Sequence, residues 1–554
     1  MTSGWQLTAG TLRAAQDPAG FVSLAADGAA EPARGGWSQE VPVEAGASYY
    51  VAYRARSEKL AGSADLWLSF YDAQGQLLRR SGLQPISGDT PWTTCAWRCR
   101  APAGARCAEL WLGVEGATTG QAAFDWACLG PDDAPLARAL IVDYARESGT
   151  LTAWPGIALD SQPFVSIRAI RGRWGLGAID PTKDTNGTES PLHVGEASPP
   201  WPVAVTIDLA ATFPNPLADP ADPTAYDWRP ADATLSAAAG STEILCRLGN
   251  GAALPMATWA EVARRCVARY GQGRYPIRYW EVAADSGEPY ERLLGQLRAL
   301  EAVAPALAVG GPGLDLAGQR PYLEGLLACL AENEVRPGFL SWQSRAEGSP
   351  WAVVAAEQAG EQLLERYGLG DADLLSDWSL PDAGGDASRA AQLAAGWAYV
   401  QDTRLARTYV SAPALTDGQG RPTAAGAALQ LLAGFQDTPR RLAATGGDEL
   451  GFALLAARSN DGRRVHILIA DSGSRSREYR LALSGFPPGY RYAVREISEG
   501  HSGGIVAEGD AAGLCDGVLI RPWRSPAVEV IEVEWGEGRT APFCDPGFDR
   551  PSPR

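Results

Sequence analysis

The side chains with the most distinctive chemistry in this 554-residue chain are nineteen Trp, nine Cys and three His. Three histidines, His193, His466 and His501, argue against a histidine metal site, and neither metal nor any other cofactor is expected. Four cysteines lie early, at Cys95, Cys99, Cys107 and Cys128, and no pair has the CxxC spacing of a zinc or thioredoxin-like site. Cys95, Trp97 and Cys99 alternate with their neighbours, which puts all three on one side of one strand. They read as buried free thiols rather than disulfides. Tryptophan is the more suggestive residue. Its flat apolar face stacks on sugar rings, although it also fills cores, and for most of the nineteen the core is the simpler place. The charge balance, 48 basic against 65 acidic residues and net −17, argues against nucleic acid and against an anionic membrane surface.

The elements that must position these side chains fall into blocks. At roughly 100–200 residues per domain, the length suggests three or four domains. Hydrophobic residues at 45% and charged residues at 20% fit a globular chain with several cores. No run of 18 apolar residues occurs, so no membrane span is expected. The start, MTSGWQLTAG, has neither a charged n-region nor an apolar h-region, so no signal peptide is expected from it. Residues 1–133 alternate apolar and polar positions in SYYVAYRAR, ADLWLSFYDA and AELWLGVEG, with turns such as DAQGQ and APAGA between them. This predicts a helix-free two-sheet β-sandwich. Residues 134–440 alternate strand-like runs (VAVTIDL, TEILCRLGN, IRYWEVA, ALAVGGP, GFLSWQS, DLLSDWS) with helical periods. In PYERLLGQLRALEAVAP, Leu293, Leu294, Leu297, Leu300 and Val303 share one face at 3.6 spacing. Such alternation is the sequence form of a (β/α)8 TIM barrel. Residues 441–540 return to alternating strands and predict a C-terminal β-sandwich, and 541–554 form a Pro-rich extended tail.

Two resemblances attach to these blocks. The early Trp, the strand after EAGASYYVAY and the closing FDWACLG make residues 1–133 resemble a jelly-roll carbohydrate-binding module. The resemblance implies a sugar platform from Trp37, Trp92 and Trp111, with core or inter-sheet packing as the alternative for each. From about residue 137 to 540 the chain resembles glycoside hydrolase family 39, the β-xylosidase-like family. RYWEVAAD stands where the family has Trp-Glu-x-Trp-Asn-Glu-Pro, GFLSWQS where it has Ser-Trp-His, and LLSDWS where it has Thr-Glu-Trp-Asn. PALAVGGPG, DGQGRPTAAGAALQLLAGF and VHILIADSG follow in the family's order. The resemblance implies a barrel with a flanking sandwich, to which an early strand near ALIVDYA contributes.

It also implies sites, and there the chain departs from the pattern. A retaining glycosidase needs two carboxyl groups about 5–5.5 Å apart, one as acid and one as nucleophile. Carried over without gaps, the acid/base position is Asp285 and the nucleophile position is Asp377, where the family has Glu at both. The Asn that binds the sugar 2-hydroxyl is Ala284, the Trp beside it is Ala283, and the His of Ser-Trp-His is Gln343. Where the family has Arg-x-His-Asp, the chain reads Arg168-Ala169-Ile170-Arg171. Shortening a carboxylate by one methylene retracts it by roughly 1–1.5 Å, and a misplacement of about 1 Å costs on the order of a hundredfold in rate. Two routes rescue activity. Glu288, followed by Pro289, would replace Asp285 as the acid if the chain bulges after the strand, although a Glu opening the next helix also suits the helix dipole. Alternatively, two retracted carboxylates stand about 6.5–9.5 Å apart and hydrolyse with inversion. Glu281, four residues before the acid position, reads as a structural hydrogen-bonding group at or beneath the barrel mouth. Trp174, Trp342 and Trp378 border the cleft in the resemblance, with packing as the alternative.

Three function classes remain. The first is a carbohydrate-binding protein with a degenerate glycosidase barrel. The second is an active β-glycosidase using Asp285 and Asp377. The third is a structural or assembly protein. Joint departures at four motif positions favour the first or third, and the N-terminal module favours the first. An oligo- or polysaccharide is the expected partner, and nucleic acid is not. Module types hint at an extracellular or cell-surface place, whereas free thiols hint at a reducing interior.

Overall fold

The computed structural model describes residues 5–8, 12–16, 21–28, 32–81, 85–131, 137–159, 201–238, 241–271, 273, 275–283, 287–315, 318–345, 350–380, 385–417, 421–474, 476–514 and 517–535. Eight parallel strands close into a barrel. They are β1 (Trp154–Leu159), β2 (Pro202–Asp208), β3 (Glu243–Gly249), β4 (Ile277–Val282), β5 (Ala308–Asp315), β6 (Phe339–Arg345), β7 (Asp373–Ser379) and β8 (Leu405–Ser411). β8 pairs back onto β1, Tyr409 facing Gly156.

Helices follow the strands and cover them. In Met256–Tyr270, Trp259, Val262, Ala263, Cys266, Val267 and Tyr270 are buried, the spacing of one helical face. In Tyr290–Val303 the buried face holds Leu293, Leu294, Leu297 and Leu300, as the periodicity predicts, and also Gln296. Strands buried on both sides read as nearly continuous apolar runs, so a polar residue at an inward position stands out.

The barrel interior is layered. Ala158, Ala204, Leu245, Tyr279, Phe339, Leu375 and Tyr409 form the apolar middle. Side chains alternate along a strand, so residues two positions away share the inward direction. Below the middle layer, Glu243 accepts from Arg407 at 2.8 and 3.0 Å and from Arg278 at 3.1 Å, and the Tyr279 hydroxyl donates to Asp373 at 3.2 Å. Above it, the same parity brings Arg247 of β3, Glu281 of β4 and Asp377 of β7 to the C-terminal mouth.

The segment Ala137–Thr150 is a strand of the C-terminal nine-stranded sheet, so the barrel begins at Trp154. It runs parallel to Glu478–Ser484. Buried Arg138 anchors it, donating to Asp448 at 2.6 Å and to Ser476 at 2.9 Å.

The N-terminal block has no helix among its described residues. Its strands join in one connected eight-stranded sheet in place of two separate ones. The reason is length: Ser48–Tyr71 (24 residues) pairs along its course with Cys107–Pro131 (25 residues). Register shifts between Arg54 and Ala55, Glu58 and Ala61, and Ala61 and Ser63 bend the pair, so one strand serves both halves. Gly120, at φ +87°, allows the bend, because an added Cβ would collide with the Lys59 carbonyl. Cys95, Trp97 and Cys99 share a buried face as expected, and the seven described cysteines are free thiols.

Asp65 lies in this sheet, 3% exposed, accepting from the Leu66 amide at 2.7 Å and the Tyr53 hydroxyl at 3.4 Å. Burial pushes its carboxyl up to about 7. Between the unfolded value, about 4, and that value, the folded sheet binds a proton that the unfolded chain does not, so stability falls as pH rises through this window. Asp65→Asn keeps the accepting oxygen and removes the charge. Native-state hydrogen exchange on Ser48–Tyr71 is expected to show the variant more protected than wild type at pH 8, by up to about 4 kcal/mol, and little changed at pH 4. Equal protection at pH 8 would remove Asp65 as a source of pH dependence.

Candidate active site

Arg247 sits fifth in the run EILCRLG, flanked by Cys246 and Leu248. Its Nη2 donates to Asp377 Oδ2 at 2.6 Å, and its Nε donates to Glu281 Oε2 at 3.2 Å. Glu281 is its register partner on the neighbouring strand, whereas Asp377 lies across the barrel on β7. The two carboxylates thus share the fork of one guanidinium, within roughly 8 Å of each other. Glu281 is 1% exposed and Asp377 is 20% exposed at the side chain. Burial raises the Glu281 carboxyl above its usual range, Arg247 pulls it back, and Asp377 adds to the rise. Burial works against the Arg247 charge, but Asp377 and then Glu281 outweigh it and hold the guanidinium protonated.

Gln343 is the register partner of Asp377 on β6 and stands exposed beside it at the mouth. Trp342 and Trp378, their neighbours in sequence, correct the expectation of stacking faces. Alternation along a strand sends them outward when Gln343 and Asp377 point inward. Trp342 is 1% exposed, donates to Ser344 at 2.9 Å and abuts Gly360 of the helix Ala352–Arg366. Trp378 is 3% exposed and packs on Gly396 of the helix Gly385–Val400, where an added Cβ would lie 3.2 Å from the ring. Both fill the layer between strands and helices.

Glu288 is also engaged. Its Oε1 accepts from Arg292 at 2.6 Å, and Arg292 donates further to the carbonyls of Gly251 at 3.0 Å and Leu254 at 2.8 Å. Glu288 therefore pins the connection after β4 to the connection after β3. β4 ends at Val282; Asp285 and Ala284 lie outside the described residues, as do Trp174 and the segment Arg168–Arg171.

The N-terminal tryptophans are no open platform. The guanidinium groups of Arg54 and Arg56 lie 5.3 and 5.1 Å from the Trp92 ring centre, with Phe21 edge-on at 5.5 Å. Arg34 lies 4.9 Å over Trp111. Trp37 is half-buried and meets Phe124 edge-on at 6.3 Å. Cation–π and packing contacts already use these rings. Among the described residues, no group of three His, Cys, Asp or Glu side chains is placed to hold a metal ion.

Sequence reasoning passed over Arg247. The signal was present: an Arg inside an apolar strand needs an opposite charge from another strand. Arg247→Met would leave Glu281 and Asp377 adjacent without their counter-charge. The expected cost at pH 8 is about 3–5 kcal/mol, the usual penalty for breaking a buried pair. The deficit should shrink toward pH 5, because the raised Glu281 takes up a proton and the repulsion lapses. Urea unfolding at both pH values checks this; a deficit equal at both would mean that the carboxylates do not depend on the guanidinium.

With this geometry in place, comparison with solved structures assigns the fold. The chain is similar to a glucosidase from Croceicoccus marinus, with 23% identity and a TM-score of 0.59, over 73% of this chain and 100% of that one. It is also similar to CelM2, a bifunctional glucanase-xylanase from a metagenome library, with 11% identity and a TM-score of 0.51, over 72% of this chain and 100% of that one. A GH39 β-xylosidase from Caulobacter crescentus matches with 15% identity and a TM-score of 0.49, over 72% and 100% of the two chains. No family model and no curated protein matches the sequence. The likeness to the first two is one of fold.

Proposed function

We propose that the barrel mouth binds carbohydrate and hydrolyses it weakly or not at all. One observation carries the reading: Arg247 ties Asp377, at the nucleophile position, to buried Glu281. A nucleophile must advance on the anomeric carbon from a fixed near-attack position. Asp377 is one methylene shorter than the Glu of the resembled family, and a charge-assisted bond of 2.6 Å draws its carboxylate toward Arg247 on β3. Glu281 has a raised carboxyl, but it is buried beneath the mouth, where a glycosidic oxygen does not reach. Binding needs less. Exposed Gln343 beside Asp377 provides both donors and an acceptor for sugar hydroxyls, and the glycosidase fold supports a carbohydrate ligand.

A second reading, an active β-glycosidase, is favoured by the 20% exposure that Asp377 keeps. Calorimetric titration with xylo- and cello-oligosaccharides, alongside hydrolysis of aryl β-xylosides and β-glucosides, separates the readings. Saturable binding is expected, with turnover below about 10⁻³ s⁻¹, some four decades under a common enzyme value. The triple change Asp285→Glu, Asp377→Glu and Ala284→Asn is expected to raise turnover where each single change does little, since residues acting as a unit are not additive. Turnover of about 1 s⁻¹ or more in the unaltered protein, abolished by Asp377→Asn, would establish the active reading. Failure to bind any of these sugars would leave an assembly role.

A further inference from the structure

On the N-terminal sheet, aromatic rings hold an arginine whose hydrogen-bonding edge is left open. Arg54 and Arg56 alternate with buried Ala55 and Ser57 in the strand Ser48–Tyr71, so both stand on the outer face. The Arg56 guanidinium lies 5.2 Å from the Phe21 ring centre and 5.1 Å from that of Trp92. A cation–π contact answers part of the charge and leaves the guanidinium N–H groups to be met by acceptors. Among the described residues, no carboxylate and no hydrogen-bond acceptor meets those of Arg56. The side chain is only half-buried, and its nitrogens reach the surface. Arg56 is thus a donor fork held in place by two rings before any ligand arrives.

The neighbouring strand sets an exposed ring beside it. In Cys107–Pro131, Trp126 pairs with Arg54 and Phe124 pairs with Ala55, which makes Asp125 the extra residue of a bulge. Phe124 is fully buried, whereas Trp126 is 37% exposed and is the one exposed aromatic side chain among the described residues. No described ring or cation covers it. Two carboxylates lie near Arg56 in the sheet, and each has a partner of its own. Asp125 accepts from Arg54 at 2.9 Å, and Glu58 accepts from Gln121. Of the two arginines, Arg56 is the one whose charge is unanswered.

These groups narrow the ligand. A planar donor fork matches a planar oxyanion, which it holds by two parallel bonds. A neutral sugar leaves the charge unmet. An acidic peptide or a nucleic acid brings many charges to a face with a single unanswered cation, on a chain of net charge −17. One carboxylate on a ring fits better, because Trp126 presents a flat apolar face to pyranose C–H groups. Diagonal neighbours across a strand pair lie about 7–8 Å apart, within reach of long and aromatic side chains, so Trp126 and Arg56 span a pyranose with its exocyclic carboxylate. We infer that this outer face binds a uronic acid residue of an acidic glycan, its ring on Trp126 and its carboxylate on Arg56. The site is separate from the barrel mouth and stands whether or not the mouth binds carbohydrate.

Calorimetric titration of the full chain with trigalacturonic acid tests this. The fully methyl-esterified trimer supplies the same rings without the charge, and hexaglutamate supplies an acidic peptide. At low salt the acid is expected to bind about tenfold or more tightly than either, and to weaken as salt rises. Arg56→Gln keeps a polar side chain between the rings and removes the charge; Trp126→Ser removes the exposed ring. Each is expected to weaken the acid about tenfold, with the thermal midpoint within a few degrees of wild type. If Arg56→Gln does not fold, Arg56→Lys, which keeps the charge and loses the planar fork, takes its place with the same expected loss. Equal binding of acid and ester, equal binding of acid and peptide, unchanged affinity in either variant, or no binding of the acid would each overturn the uronate site. None of these results bears on the barrel mouth, which the neutral oligosaccharides test.

Discussion

Arg247 holds its guanidinium above the apolar middle of a closed barrel, and a charge in that place must be met by opposite charge from other strands. β4 meets it with Glu281, the register partner, and β7 meets it with Asp377 from across the mouth. Through Asp377 the triad ties the adjacent pair β3 and β4 to β7, a strand that shares no edge with either. Removing Glu281 or Asp377 exposes Arg247, and removing Arg247 sets two carboxylates against each other. The mouth is thus built around a paired charge, and the Asp377 carboxylate there is already bonded.

The rest of the barrel follows the same logic of layers. Glu243, Arg407 and Arg278 close the lower end by ion pairs, and seven apolar or aromatic side chains fill the middle. At the C-terminal end, β2 and the connections after β3 and β4 meet over a cavity. Glu288 contributes there through Arg292, as a brace between two connections.

Much of the barrel was legible in the sequence because its signals are local and periodic. The apolar face of PYERLLGQLRALEAVAP and the strand-like runs stand where the patterns place them, and the strand at ALIVDYA lies in the C-terminal sheet as the family resemblance implies. Side-chain direction was legible too, but only when the period of two is applied strictly. Gln343 with Trp342, and Asp377 with Trp378, are neighbours on one strand, and a pair of neighbours does not face the axis together. The tryptophans lost that choice to the helix layer. What sequence did not yield is contact across the barrel. Nothing near EILCRLG says that its Arg reaches Asp377, some 130 residues on, because the closure of the barrel makes that contact. The clamp on Arg56 is likewise a product of packing, since Phe21, Arg56 and Trp92 come from three separate stretches of chain.

The most direct test of a bonded, non-nucleophilic Asp377 is covalent trapping. A 2-deoxy-2-fluoro glycosyl fluoride of the xylo or gluco series slows release of a glycosyl-enzyme and leaves a mass increment on any carboxylate that attacks. Intact-protein mass spectrometry after prolonged incubation is expected to show the unmodified chain, with Asp377 held on Arg247. A stoichiometric increment mapping to the peptide of Asp377 would contradict this and make that residue a working nucleophile.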